Sequence, residues 1–174
     1  MKNFKLNEKD ILSNQDWTFP TTTYYGPGRF NEIAKFCEEF DIKNPLIVTD
    51  SGSKDLPFIK KLIALLSKNN IKSDLFYNIS PNPRDDEISK GCDQFKNGSH
   101  DSIIAIGGGS AMDGGKSICL TVNSETPLWD FEFEQPVPKI TKENAFPKII
   151  TVPTTAGTGA ETEITAMVTH LEKG

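Results

Sequence analysis

The sequence predicts an α/β fold with a mostly parallel sheet flanked by helices. Three observations carry that expectation: short apolar runs without polar alternation, as in strands covered on both faces; apolar stripes at helical spacing between them; and glycine or proline turns at the junctions. Strands alternating with helices imply βαβ units with right-handed crossovers, a Rossmann-like arrangement. A chain of 174 residues is long enough to bury one such core. Residues 1–20 read as an N-terminal extension and residues 21–174 as the domain.

Taken in order, Thr21-Thr22-Thr23-Tyr24-Tyr25 is β-prone and ends at the turn Gly26-Pro27-Gly28. Phe30, Ile33, Ala34, Cys37 and Phe40 then fall on one helical face over residues 29–40. Leu46-Ile47-Val48-Thr49 is a buried strand ending at Asp50. Pro57 suits the first turn of the next helix, where its missing N–H costs nothing, and Ile59, Leu62, Ile63 and Leu66 supply the buried stripe. Residues 73–77 read as strand, and Pro81-Asn82-Pro83 as a rigid loop. Asp85, Asp86 and Glu87 complement a helix dipole, and Ile88, Cys92 and Phe95 continue that helix.

The central strand Ser102-Ile103-Ile104-Ala105-Ile106 runs into Gly107-Gly108-Gly109-Ser110 and a helix to about residue 121. Residues 123–147 carry prolines and no sustained period, which predicts a surface excursion with a short hairpin or helical turn around residues 129–133. Residues 148–152 form another buried strand, feeding the small-residue loop Pro153-Thr154-Thr155-Ala156-Gly157-Thr158-Gly159-Ala160. Ligands of such sheets bind at the carboxyl ends of the strands, where the loops after residues 49, 77, 106 and 152 gather.

At that rim the glycine loop is the strongest chemical signal. Glycines let backbone N–H groups approach an anion, and the following helix aims its positive end at the same place, so a cofactor pyrophosphate fits there. The dinucleotide pattern G-x-G-x-x-G fails at Met112, so context must carry the inference. Asp50 is placed to accept hydrogen bonds from ribose hydroxyls, although a helix N-cap or a solvated loop acid would also account for it. A 2′-phosphate beside that carboxylate would be disfavoured by roughly 1 to 4 kcal/mol, which selects NAD over NADP. This acid precedes the glycine loop, whereas the ordinary Rossmann acid follows it, so the topology is a variant.

Thr154, Thr155 and Thr158 offer hydroxyls for ribose or nicotinamide, or simply form a turn. Asn82 stands at the edge of the same rim, where a proline-flanked turn alone would explain it. Ser110 can cap its helix or bond a phosphate oxygen, and Asp113, a further candidate cofactor contact, lies in the expected first turn, where dipole complementarity alone would account for it. His100 and His170 lack partners at metal-ligand spacing and are expected on the surface. No Ser-His-Asp or Cys-His arrangement is legible, so no catalytic residue is assigned.

The remaining composition excludes other classes. Net charge is −5 and the nineteen basic residues are scattered, which argues against nucleic acid. Cys37, Cys92 and Cys119 are odd in number and widely spaced, an argument against disulfides or a zinc knuckle; all three are expected in the core. No run is long enough to cross a bilayer and the first ten residues lack an apolar segment, so the expected location is the cytoplasm.

Together, Val48-Thr49-Asp50, Pro81-Asn82-Pro83, Ile104-Ala105-Ile106-Gly107-Gly108-Gly109-Ser110 with Asp113 and Lys116, and Pro153-Thr154-Thr155-Ala156-Gly157-Thr158-Gly159 with Glu161 resemble the iron-containing (group III) alcohol dehydrogenases. The resemblance runs from about Tyr24 to the end. It implies the N-terminal NAD(P)-binding domain of that family, a fold shared with dehydroquinate synthases. The other half of such enzymes is helical and holds iron or zinc, which polarises the alcohol oxygen while hydride passes to the nicotinamide. By the resemblance Asp50 is the adenosine-ribose acid, Asn82 a cofactor contact, Gly107, Gly108, Gly109 and Ser110 the pyrophosphate loop, and Thr154, Thr155 and Thr158 the lining near phosphates and nicotinamide.

NAD is therefore the expected cofactor, ahead of NADP. The expected partner is a small alcohol or aldehyde, and the resemblance implies a homodimer or larger assembly for the full-length enzyme. Ala160, Glu163, Thr165 and His170 depart from the family pattern and leave the substrate open. The family's metal ligands, one aspartate and three histidines of the helical half, have no counterparts up to Gly174. The sequence thus reads as a fragment or truncated product that alone would not turn over alcohols. Glycerol dehydrogenase-like cousins and a non-catalytic nucleotide-binding module are the alternatives.

Overall fold

The unbroken apolar runs become a parallel sheet whose carboxyl rim collects the loops of interest. The computed structural model describes residues 15–17, 21–136, 138–139 and 146–172. A short antiparallel pair comes first, β1 (Gln15–Trp17) with β2 (Thr23–Tyr25). The sequence carried no signal for β1, which pairs with β2 across the position where the domain was expected to begin. Gly28, in the left-handed region at φ 83°, then starts a 3₁₀ turn over Arg29–Glu32, followed by α1 (Ile33–Glu39). The single helix expected over residues 29–40 is therefore divided.

The rest alternates: β3 (Pro45–Asp50), α2 (Pro57–Lys68), β4 (Asp74–Ile79), α3 (Asp85–Asn97), β5 (Ser102–Gly107), α4 (Gly109–Thr121) and β6 (Lys148–Pro153). Strand order is β4-β3-β5-β6, all parallel, with Val48 opposite Ala105 and Ala105 opposite Thr151. The expected α/β fold with helices on both faces of a parallel sheet is what forms. Alternate residues of the central strands face opposite ways, so Leu46, Val48, Ile103 and Ala105 pack against α3 and α4 through Ile88, Phe95, Met112 and Ile118. On the other face Ile47, Ile104 and Ile106 meet Ile33, Cys37, Ile59, Leu62 and Leu66.

Several expectations need correction. Ile63 is 38% exposed, because the buried stripe of α2 follows Ile59, Leu62 and Leu66 and is widened by Phe58 and Leu65 instead. β6 is only half-buried, since it closes the edge of the sheet with one neighbouring strand. Cys92 is half-buried, whereas Cys37 and Cys119 lie in the core. The excursion after α4 forms a 3₁₀ turn over Leu128–Phe131, with residues 137 and 140–145 outside the described residues.

Neither histidine is a free surface group. Ser99 turns through φ 51°, and the His100 amide bonds back to Phe95, which drops the imidazole beneath the sheet. Its side chain is 0% exposed, with Nδ1 3.0 Å from the Asn44 carbonyl and Nε2 3.4 Å from Asp74 Oδ2. His170 is half-buried and stacks on Trp129 at 4.7 Å. The Trp129 indole N–H donates to Asp85 Oδ2 at 3.1 Å, which also lies 3.5 Å from His170 Nδ1. Apolar periodicity cannot see such burial, because a turn and a stacked ring produce it.

Candidate functional site

The carboxyl ends of β3 and β5 place Asp50 beside the glycine loop. Thr49, buried in the strand before it, donates its hydroxyl to the Ile106 carbonyl at 2.7 Å and ties the two strand ends together. The Asp50 side chain bends over the loop, with Oδ1 accepting from the Gly52 amide at 3.0 Å. A Cβ on Gly107 would stand 3.1 Å from Asp50 Oδ2 and 2.8 Å from the Ala111 methyl. Gly107 sits at φ 146°, a conformation L side chains rarely adopt.

From there the chain enters α4 with Gly108 as its N-cap, and the Met112 amide bonds back to the Gly108 carbonyl. The amides of the first turn are directed at the loop without intrahelical partners. The threonine loop closes the other side. Thr154 N–H donates to the Gly107 carbonyl at 2.8 Å. The Thr155 hydroxyl lies 3.5 Å from where a Gly108 Cβ would be, and Thr158 Cγ2 lies 3.3 Å from that of Gly109. Side chains on these glycines would fill the concavity between Asp50 and the threonines. The cradle therefore fits a nucleotide pyrophosphate, with an anion over backbone amides and an acceptor carboxylate at one end.

The Pro81-Asn82-Pro83 loop forms the third wall. Ser110 does not cap its helix; its hydroxyl donates to the Pro81 carbonyl at 2.6 Å, spanning the glycine loop and this wall. Asn82 is exposed on it. Behind it Glu87 is buried, its Oε2 accepting from the Ser80 amide, the Ser80 hydroxyl and the Arg84 amide at 3.0 to 3.1 Å. Beside it Arg84 and Lys90 hold the Asp86 carboxyl down to about 2.

Asp113 falls in the second turn of α4 rather than the first, because the helix begins at Gly109. Its carboxylate is 3.2 Å from Lys116 Nζ, and neither side chain is more than 16% exposed. The structure thus gathers Asp50, Asn82, Gly107, Gly108, Gly109, Ser110, Thr154, Thr155 and Thr158 around one rim and sets Asp113 one turn behind it. Thr49 and Glu87 were missed as structural supports. A hydroxyl inside an apolar strand, and an acid three residues into a helix, were the available signals.

Among the described residues no three His, Cys, Asp or Glu side chains group into a metal site. No described helix is long and apolar enough to cross a membrane. A cleft of about 640 Å³ opens elsewhere, between α3, the Leu128–Phe131 turn and residues 170–172, and none of the rim residues lines it.

The model of the family "Iron-containing alcohol dehydrogenase" matches residues 20–174. The 1,3-propanediol dehydrogenase of Klebsiella pneumoniae is 29% identical over 90% of this chain and 40% of its own length. The choline dehydrogenase of Bacillus subtilis is 31% identical over 97% of this chain and 42% of its own. Among solved structures, the sulfoacetaldehyde reductase of Bifidobacterium kashiwanohense in complex with NAD+ superposes with a TM-score of 0.74 at 27% identity, covering 86% of this chain and 38% of that one. The chain spans about 40% of the length of the curated relatives it matches. It belongs to the iron-containing alcohol dehydrogenase family.

Proposed function

We propose that this chain is the NAD-binding part of a metal-dependent alcohol dehydrogenase, an enzyme that moves hydride between an alcohol and the corresponding aldehyde or ketone. The observation that carries the reading is the convergence of the Asp50 carboxylate, the Gly107-Gly108-Gly109 turn and the threonine loop on one concavity. NAD, when bound, supplies the hydride acceptor. The first-turn amides of α4 take the pyrophosphate, Asp50 accepts from the adenosine ribose, and Asn82 contacts the cofactor from the third wall. Thr154, Thr155 and Thr158 line the part nearest phosphates and nicotinamide, and their small side chains let the ligand approach closely.

The described residues hold no donor set for iron or zinc, so the chemistry assigned to them is binding and orienting the cofactor. The names of the relatives span a diol, choline and a sulfonated aldehyde, which supports a small alcohol or aldehyde as substrate class without choosing among them. A cytoplasmic setting and a homo-oligomeric full-length enzyme belong to the same proposal.

The test is equilibrium titration of the chain with NADH and with NADPH, followed by cofactor fluorescence. Tighter binding of NADH is expected, by tenfold or more at about 1.4 kcal/mol per decade. Equal affinities would refute the selectivity assigned to Asp50, and no binding of either would overturn the cofactor reading.

A further inference from the structure

The segment after the threonine loop runs as a strap across α4. Ala160 enters the core shared by α3 and α4, and Val168 packs against that core further along. At the far end Thr169 N–H donates to the Pro83 carbonyl at 2.7 Å, and Asp85 N–H donates to the Thr169 carbonyl at 3.2 Å. One strap thus begins at the threonine wall of the cradle and ends on the Pro81-Asn82-Pro83 wall. Its middle buries little: Thr162, Glu163, Ile164 and Thr165 are all exposed, Ile164 to 96%.

What holds that middle is Lys116. Its ammonium donates to the Thr165 carbonyl and, at 3.4 Å, to the Glu163 carbonyl, while Asp113 Oδ1 sits 3.2 Å away. Three donors thereby meet three oxygens, and the aliphatic stem is largely covered. Among the described residues no other α4 side chain has a hydrogen bond to the strap. A charged donor gripping main-chain carbonyls is among the stronger hydrogen bonds available to a protein.

We propose that Lys116, aligned by Asp113, is a positioning residue: it latches the strap to the helix that carries the glycine loop and so sets the threonine and Pro-Asn-Pro walls at the spacing the cofactor needs. The inference rests on the NAD-binding reading of the cradle. It also reassigns Asp113, expected from sequence to touch the cofactor, to holding the lysine. A loosened strap leaves the glycine loop and Asp50 in place and frees the walls to separate, so cofactor affinity falls without loss of the sheet.

The experiment compares the 174-residue chain with Lys116→Met, Lys116→Arg and Asp113→Asn by NADH titration and by amide hydrogen exchange. Lys116→Met is expected to weaken NADH about tenfold. It is also expected to speed exchange at the Thr169 and Thr154 amides about tenfold while β3 and β5 keep their protection. Lys116→Arg, which keeps a cation able to reach carbonyls, should stay within about threefold of the parent. Asp113→Asn should cost less than Lys116→Met, since two carbonyls still hold the ammonium.

Unchanged exchange in Lys116→Met overturns the latch, whatever happens to affinity. Faster exchange with unchanged NADH affinity overturns the positioning role, and a larger loss in Asp113→Asn than in Lys116→Met returns Asp113 to the cofactor. Should Lys116→Met fail to fold, Lys116→Gln, which keeps part of the stem and loses the charge, takes its place in both measurements with the same expected and overturning outcomes. Failure of the parent to bind NADH overturns the cofactor reading, and with it the positioning role; exchange at Thr169 then still decides whether the latch exists.

Discussion

Asp50 and Gly107 occupy facing positions at the ends of neighbouring strands, the carboxylate oxygen 3.1 Å from where a methyl group on the glycine would stand. Gly107→Ala therefore has nowhere to go: the methyl also meets Ala111 at 2.8 Å, and φ is 146°. The expected cost is about 1 to 3 kcal/mol of stability, together with loss of NADH binding. Urea unfolding and cofactor titration check the two effects, and a variant that binds NADH normally would contradict the cradle.

Asp50→Ala removes the acceptor and the negative charge while leaving the glycine loop intact. NADH affinity should fall about tenfold and NADPH affinity should change less or rise, so the preference shrinks. Parallel titrations with both cofactors read this directly. A preserved preference would assign selectivity to another residue.

Gly115→Ala tests the packing of α4 on the sheet, away from the cradle. Its Cβ would stand 2.5 Å from that of Ala105, a position fixed by the central strand. A Cβ on Gly91 would stand 2.3 Å from Ile118 Cδ1, 2.8 Å from its Cγ1 and 3.2 Å from the Phe76 ring, all atoms of buried core side chains. Gly115→Ala and Gly91→Ala should each cost about 1 to 3 kcal/mol in chemical denaturation, and a neutral effect at either would contradict the close approach of α4 there.

Burial pushes the Cys37 thiol up to about 11, with Asp101 adding to it, and the Cys119 thiol up to about 12. A folded-state thiol that ionises later than in the unfolded chain favours the fold below the ordinary cysteine range. That contribution is lost as pH rises from about 9 towards these values. Stability should decline over that interval. At pH 8 a thiol reagent should label Cys92 first, leaving Cys37 and Cys119 protected until unfolding. Rapid labelling of Cys119 in the native protein would contradict its burial.

The four strands of the parallel sheet and the helices between them were legible because each is a local pattern. Leu46-Ile47-Val48 and Ile103-Ile104-Ala105-Ile106 have no polar alternation, and only a strand covered on both faces tolerates that. The glycine loop was legible as a strand-to-helix turn too, since three glycines between an apolar run and a helical stripe interrupt both patterns. Less was visible where burial depends on partners distant in sequence. β1 pairs with β2 without a pattern of its own, Ile63 sits at the margin of an otherwise correct stripe, and His100 is buried by a left-handed Ser99 and the Asn44 carbonyl.

The sequence by itself determined the fold class, the rim residues and the family, because periodicity and turn chemistry act over a few residues and the motifs keep their order along the chain. Only the tertiary structure decided how those residues meet. Asp50 is 57 positions before Gly107 in sequence, yet its carboxylate bounds the space above that glycine. Ser110 reaches Pro81, Thr154 reaches Gly107, and Lys116 reaches Glu163 and Thr165. These are hydrogen bonds between segments brought together by sheet order and helix packing, and no local pattern encodes which donor finds which carbonyl.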